Sequence, residues 1–187
     1  DLIALQDEVA DIIAGTLATR LGVEVARQVG VRRSTGGDVT SFELVLQGIW
    51  HFAKLTVEST ALARACLERA VAIYPENAEA QRWLSACHIA GWFIRLDRDE
   101  LVNANRRAMQ AIAYDPASAR CHSAFALSQL WMEGGGVDAA AASYAQAMAL
   151  NPGDPDVLIE VALYHTFAGD IAAAHDVFAR AHRLNPM

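Results

Sequence analysis

Two cysteine–histidine dipeptides, Cys87-His88 and Cys121-His122, are the first residues here to invite chemistry, because thiolate and imidazole both bind zinc. Ligands of one zinc ion lie within ~4 Å of each other, whereas equivalent positions on neighbouring helices are ~8–10 Å apart. His51, His88 and His165 take such equivalent places in the repeat frame set out below; His122 takes a different one and could approach His88 more closely, but no C-x-x-C spacing accompanies the pair. No metal site and no cofactor are therefore expected. Nucleophilic catalysis has no better footing. There is no G-x-S-x-G turn, and the glycines at 134–136 lack the Lys and Ser/Thr of a phosphate-binding loop. No catalytic residue is assigned. What remains is recognition, through Arg82, Arg120 and Trp131. A guanidinium pairs with a carboxylate by two parallel hydrogen bonds, and an indole covers an apolar side chain. That combination suits an acidic or carboxylate-ended extended peptide. The plainer alternative is that the arginines are solvated on helix faces.

The elements that must position these residues recur. A small residue, a variable or aromatic one four later, Ala three after that and Pro five further on appear four times. The sets are Ala63, Leu67, Ala70, Pro75; Ala104, Ala108, Ala111, Pro116; Ala140, Tyr144, Ala147, Pro152; and Ala174, Phe178, Ala181, Pro186. Offsets of four and three place the first three members on one helical face. The Pro ends each helix, having no N–H to give and forcing its predecessor out of the α region. The spacing resembles that of the second helix of a tetratricopeptide repeat.

In the last three pairs the first helix is found by counting from the preceding Pro to a small residue at the crossing point, Ser85, Ala126 and Ala162; in the first pair the matching residue is Gly48. Residues a turn either side of these are expected to line a concave face. They are Glu79, Arg82, Ala86 and Ile89; Arg120, Ser123, Leu127 and Trp131; and Asp156, Ile159, Leu163 and Phe167. The candidate binding residues are Arg82, Arg120, Ser123, Leu127, Trp131, Leu163 and Phe167. The prolines stand 41, 36 and 34 positions apart, against a period of about 34. The extra residues are expected in turns within repeats, at 91–100 and 133–136, with a long turn also at 55–60. Phe178 is expected to be buried between the helices of the last pair.

The fold expected is all-α: a right-handed tetratricopeptide-like solenoid of about four helix pairs with an N-terminal helix before them. The N-terminal helix occupies 1–30, a loop 31–40, and the repeats 41–75, 76–116, 117–152 and 153–187. Leu2, Leu5, Val9, Ile12 and Leu17 form the apolar stripe of the first helix. Composition agrees with a packed domain: of 187 residues 53% are hydrophobic and 20% charged. A net charge of -7 argues against nucleic acid, whose phosphates require clustered cations. No apolar run approaches the ~20 residues of a membrane span. Three cysteines without paired spacing read as small buried hydrophobes in a reducing compartment.

Beyond the repeats, the opening LIALQDEVADIIAGTL, the segment FELVLQGIWHFAKLTVES and the Gly91-Trp92 pair carry a more particular resemblance. The chain resembles the C-terminal half of bacterial multidomain class III adenylate/guanylate cyclase-like proteins, and of related winged-helix regulators, in which a TolB-like domain precedes such a helix and repeats. The resemblance implies a non-catalytic regulatory or protein-interaction segment. Cyclase activity would belong to other domains, and no cyclase metal-binding aspartate maps onto this chain. It implies a cytoplasmic setting, or a periplasmic one if a transmembrane span lies upstream. The partner expected is a protein or peptide on the concave face. The alternative is a self-associating spacer, dimerising through its N-terminal helix or the solenoid ends.

Overall fold

A computed structural model describes residues 36–132 and 136–185. Among the described residues the chain forms eight α-helices and no strand. They are α1 (Gly36–Phe52), α2 (Val57–Ile73), α3 (Ala78–Arg95), α4 (Arg98–Tyr114), α5 (Ala119–Trp131), α6 (Val137–Leu150), α7 (Pro155–Phe167) and α8 (Ile171–Leu184). The expected N-terminal helix, with its Leu2 to Leu17 stripe, lies outside the described residues. Two compact units divide at Pro75 and Glu76. The described part of the first is the α1/α2 pair. In the second, α3 packs on α4, α5 on α6 and α7 on α8, while α3 touches α5 and α5 touches α7. The first helices of its three pairs thus form one layer and the second helices another.

Local chemistry explains where the helices of the second unit begin. Two residues after each repeat-ending Pro comes an N-cap: Asn77 accepts from Ala80 N, Ser118 from Cys121 N, and Asp154 from Asp156 N and Val157 N. Pro stops one helix, a single residue turns the chain, and a short polar side chain starts the next. Within the first unit, Thr56 and Ser59 form a reciprocal capping box at the start of α2.

Small residues set how closely paired helices cross. A Cβ on Gly48 would stand 2.7 Å from Leu67 Cγ, so nothing larger fits where α1 crosses α2. Ser41 Oγ reaches across the same pair to donate to the Ala70 carbonyl at 2.9 Å. Ser85, Ala126 and Ala162 are buried at the matching crossings. Ala111, also buried, faces such a contact on α4. Ala111→Leu should therefore destabilise by ~1–3 kcal/mol through overpacking, as read from urea denaturation midpoints. A neutral result would mean that Ala111 does not face the packed side.

Three expectations are corrected. The loop assigned to 31–40 is helical from Gly36. Two glycines each cost ~1 kcal/mol in a helix, but the run leads into the buried face of Ser41, Leu44 and Val45. Residues 91–95 and 57–60 also belong to helices rather than turns. The long second repeat lengthens α3 instead of its turn, and Leu96, left-handed at φ 53°, ends the helix. Phe178 is 56% exposed, although Tyr144 at the same repeat position is only 2% exposed. Tyr144 is covered by α7, whose Tyr164 ring lies 5.2 Å away. Among the described residues no helix follows α8 to cover Phe178 in the same way.

Candidate functional site

The layer formed by α3, α5 and α7 carries every candidate binding residue, and it has two chemically distinct ends. At the N-terminal ends of these helices the charged side chains meet. Arg82 lies against Glu79 with Nε at 3.0 Å and a terminal nitrogen at 2.5 Å from the two carboxylate oxygens. Its guanidinium also stacks 4.4 Å from the Trp83 ring centre, while the Trp83 indole donates to Glu79 at 2.9 Å. Arg120 donates to Asp154 at 2.7 Å and approaches Asp156 at 3.3 Å. Ser123, buried, donates to Glu160 at 2.5 Å.

These contacts revise the role expected of the arginines. Arg82 is only 6% exposed, and both guanidiniums already hold carboxylates of this chain. A ligand carboxylate would have to displace those partners. Burial alone would weaken Arg82's hold on its proton, but the charge and hydrogen bonds of Glu79 outweigh it and raise its pKa. Burial likewise pushes Glu79 up, yet Arg82 and then Arg120 bring it net below the usual carboxylate value. Glu79, Asp154 and Asp156 alone outnumber the two cations, and Glu160 adds to them once it is ionised. The cluster's excess is therefore acidic.

Glu160 behaves differently from Glu79. Burial lifts its pKa from 4.5 to about 7, against the Ser123 hydrogen bond and the charge of Arg82 and with the help of Asp156 and Asp154. Because the folded value exceeds the unfolded one, folding favours the protonated acid. Stability from this group is present below pH 4.5 and is lost as pH rises towards about 7. Glu160→Gln should therefore stabilise the protein increasingly between pH 5 and pH 7.5, by ~1–3 kcal/mol at the upper end, the lower figure allowing for solvent screening. Thermal melts of both proteins across that range check this. A constant difference would mean that Glu160 titrates normally.

At the C-terminal ends of the same helices stand the aromatic rings. Trp131 closes α5 and lies 5.5 Å from Trp92, 5.0 Å from Phe93 and 4.8 Å from Phe167. Three consecutive first helices thus share one aromatic cluster. Phe93 is 54% and Phe167 49% exposed, so the cluster faces solvent. The Trp131 indole N–H has no acceptor among the described residues. Half-buried Leu127 and exposed Leu163 lie between the two ends, with exposed Ile159 a turn before Leu163.

Trp92, Phe93, Asp154 and Glu160 were not among the candidate binding residues read from the sequence. Reading 91–100 as a turn removed the two rings from α3. A usable signal existed in the eleven-residue interval that separates Arg82 from Phe93, Arg120 from Trp131 and Asp156 from Phe167. Eleven residues are three helical turns, so each first helix bears a charge at one end and a ring at the other on one face.

The cysteine–histidine dipeptides serve packing. His88 is buried with Nδ1 2.5 Å from Glu100, which also takes Arg95. His122 Nε2 lies 3.0 Å from the Pro116 carbonyl. Burial pushes the Cys121 thiol up to about 11, which keeps it unreactive. Among the described residues no three His, Cys, Asp or Glu side chains gather in a way that would hold a metal ion. No described helix is long and apolar enough to cross a membrane.

The fold is shared with tetratricopeptide-repeat proteins. TTC0263, a thermophilic repeat protein of this class from Thermus thermophilus, superposes with a TM-score of 0.66 at 20% identity, covering 91% of each chain. MamA superposes at 0.50 with 21% identity over 77% of each chain. A mutant O-GlcNAc transferase of Thermobaculum terrenum matches 81% of this chain but only 27% of its own, at 0.58 and 19% identity. These likenesses concern the fold alone. No protein-family model matches the chain, and neither does any curated protein.

Proposed function

We propose that residues 76–187 form a non-catalytic interaction module that captures an extended segment of another protein on the α3/α5/α7 face. The observation that carries this reading is the solvent-facing cluster of Trp92, Phe93, Trp131 and Phe167, built from three consecutive first helices. Large rings left in water at that density mark a contact surface. The wider setting proposed is a regulatory segment of a bacterial cyclase-like signalling protein, on the strength of the LQDE opening and the WHF segment.

A photo-crosslinking phenylalanine analogue at Phe93, Phe167 or, as a control, exposed Met109 on α4 tests the reading in cells. Adducts to one other protein from the first two positions and none from Met109 are expected. Adducts only from Met109 would overturn it.

A second reading, self-association as a structural spacer, is favoured by the exposure of Phe178 at the repeat position where Tyr144 is covered. Light scattering decides it. A concentration-dependent dimer that Phe178→Ser abolishes would establish this reading, and a monomer at all concentrations would end it.

A further inference from the structure

Resting on the groove reading above, we propose that this face selects an extended peptide by a cationic side chain, Lys or Arg, seated at Asp156 and Glu160. An aromatic or aliphatic residue three to five positions away sits on Phe93, Trp131 and Phe167.

The sign of the charge comes from the ion pairs. Both guanidiniums of the cluster are engaged internally, and four carboxylates surround them. Asp156 is the least committed of the four. It meets Arg120 only at 3.3 Å, and its side chain is 47% exposed. An acidic peptide arriving here would meet like charge, whereas an ammonium or guanidinium would complete the set.

A buried polar group on the adjoining helix feels the same acidic field. The Tyr144 hydroxyl, projecting from α6 into the α6/α7 contact, is buried without a hydrogen-bond partner among the described residues. Burial, and after it the charge of Glu160, holds this hydroxyl in its protonated form. A buried donor with no acceptor is rare in a folded protein.

The spacing comes from helix geometry. Glu160 precedes Phe167 by seven residues and Asp156 precedes it by eleven, or about 10 and 16 Å at 1.5 Å per residue. An extended chain advances about 3.3 Å per residue. The cation and the apolar anchor are therefore three to five positions apart.

The test is panning of a random twelve-residue display library on the full chain, with affinities of the enriched peptides measured by fluorescence anisotropy. The expected consensus joins Lys or Arg to an aromatic or aliphatic residue at that spacing. Binding should fall at least tenfold in the Asp156→Asn, Glu160→Gln double variant and at least fivefold in Phe167→Ser. Both sets replace partly exposed groups, and circular dichroism verifies their folding. Acidic or uncharged binders that tolerate the double variant but lose affinity in Phe167→Ser would overturn the cation site and leave the groove standing. No enrichment, or binders indifferent to all three substitutions, would overturn both.

Discussion

Tyr144→Ala is expected to destabilise the protein by ~3–5 kcal/mol, the range for truncating a buried aromatic side chain. Phe178→Ala, the same change one repeat later, should cost less than ~1 kcal/mol, as surface substitutions do. Sequence treats the two as equivalent, since each lies four residues after a small residue and three before Ala. Their surroundings differ: Tyr144 is enclosed by Ala119, Ala126, Val157 and Val161, contributed by α5 and α7. Phe178 has its own α8 and α7 beneath it and more than half its surface in water. Urea denaturation of both variants measures the contrast. Equal losses would show that something covers α8 in solution, as the spacer reading requires.

The second large effect concerns Arg82. Arg82→Leu should cost ~2–4 kcal/mol, somewhat less than a fully enclosed pair because Glu79 keeps 25% of its side chain exposed. The loss arises chiefly from the carboxylate left behind, whose remaining partners are the Trp83 indole and the nearby charge of Arg120. Arg82→Lys keeps the charge but not the two-pronged contact, and should lose ~1–2 kcal/mol. Reversing both arginines to Glu, which a free binding site would tolerate, is expected here to lower the melting temperature by many degrees. An unchanged melting temperature would return Arg82 to the role of a solvent-facing ligand contact.

What was legible in the sequence was what local chemistry fixes. Each Pro followed two residues later by Asn77, Ser118 or Asp154 marks a stop and a start within three positions. Gly48, Ser85, Ala126 and Ala162 announce the crossings because only small residues permit them. Helix length was less legible. Gly91 looks like punctuation, but Trp92 and Phe93 gain contacts with Trp131 only if α3 continues past it. The internal pairing of the arginines was illegible for a related reason. Arg82 and Arg120 are visible as cations, whereas their neutralisation depends on folding. Arg120 meets Asp154 and Ser123 meets Glu160 across 34 and 37 residues. Those separations are about one repeat, so pairing residues a period apart would have revealed the acidic excess.

The central claim, that the α3/α5/α7 face binds an extended peptide, is tested most directly by the indole N–H resonances of the 15N-labelled protein. There are four tryptophans, and they sample different places. Trp92 and Trp131 belong to the aromatic cluster, Trp83 reports on Glu79 at the charged end, and Trp50 lies on α1 in the other unit. On titration with the best peptide from the library, Trp92, Trp131 and Trp83 should shift together along one binding curve while Trp50 stays fixed. A saturable shift of Trp50 alone, with the other three unmoved, would contradict the account.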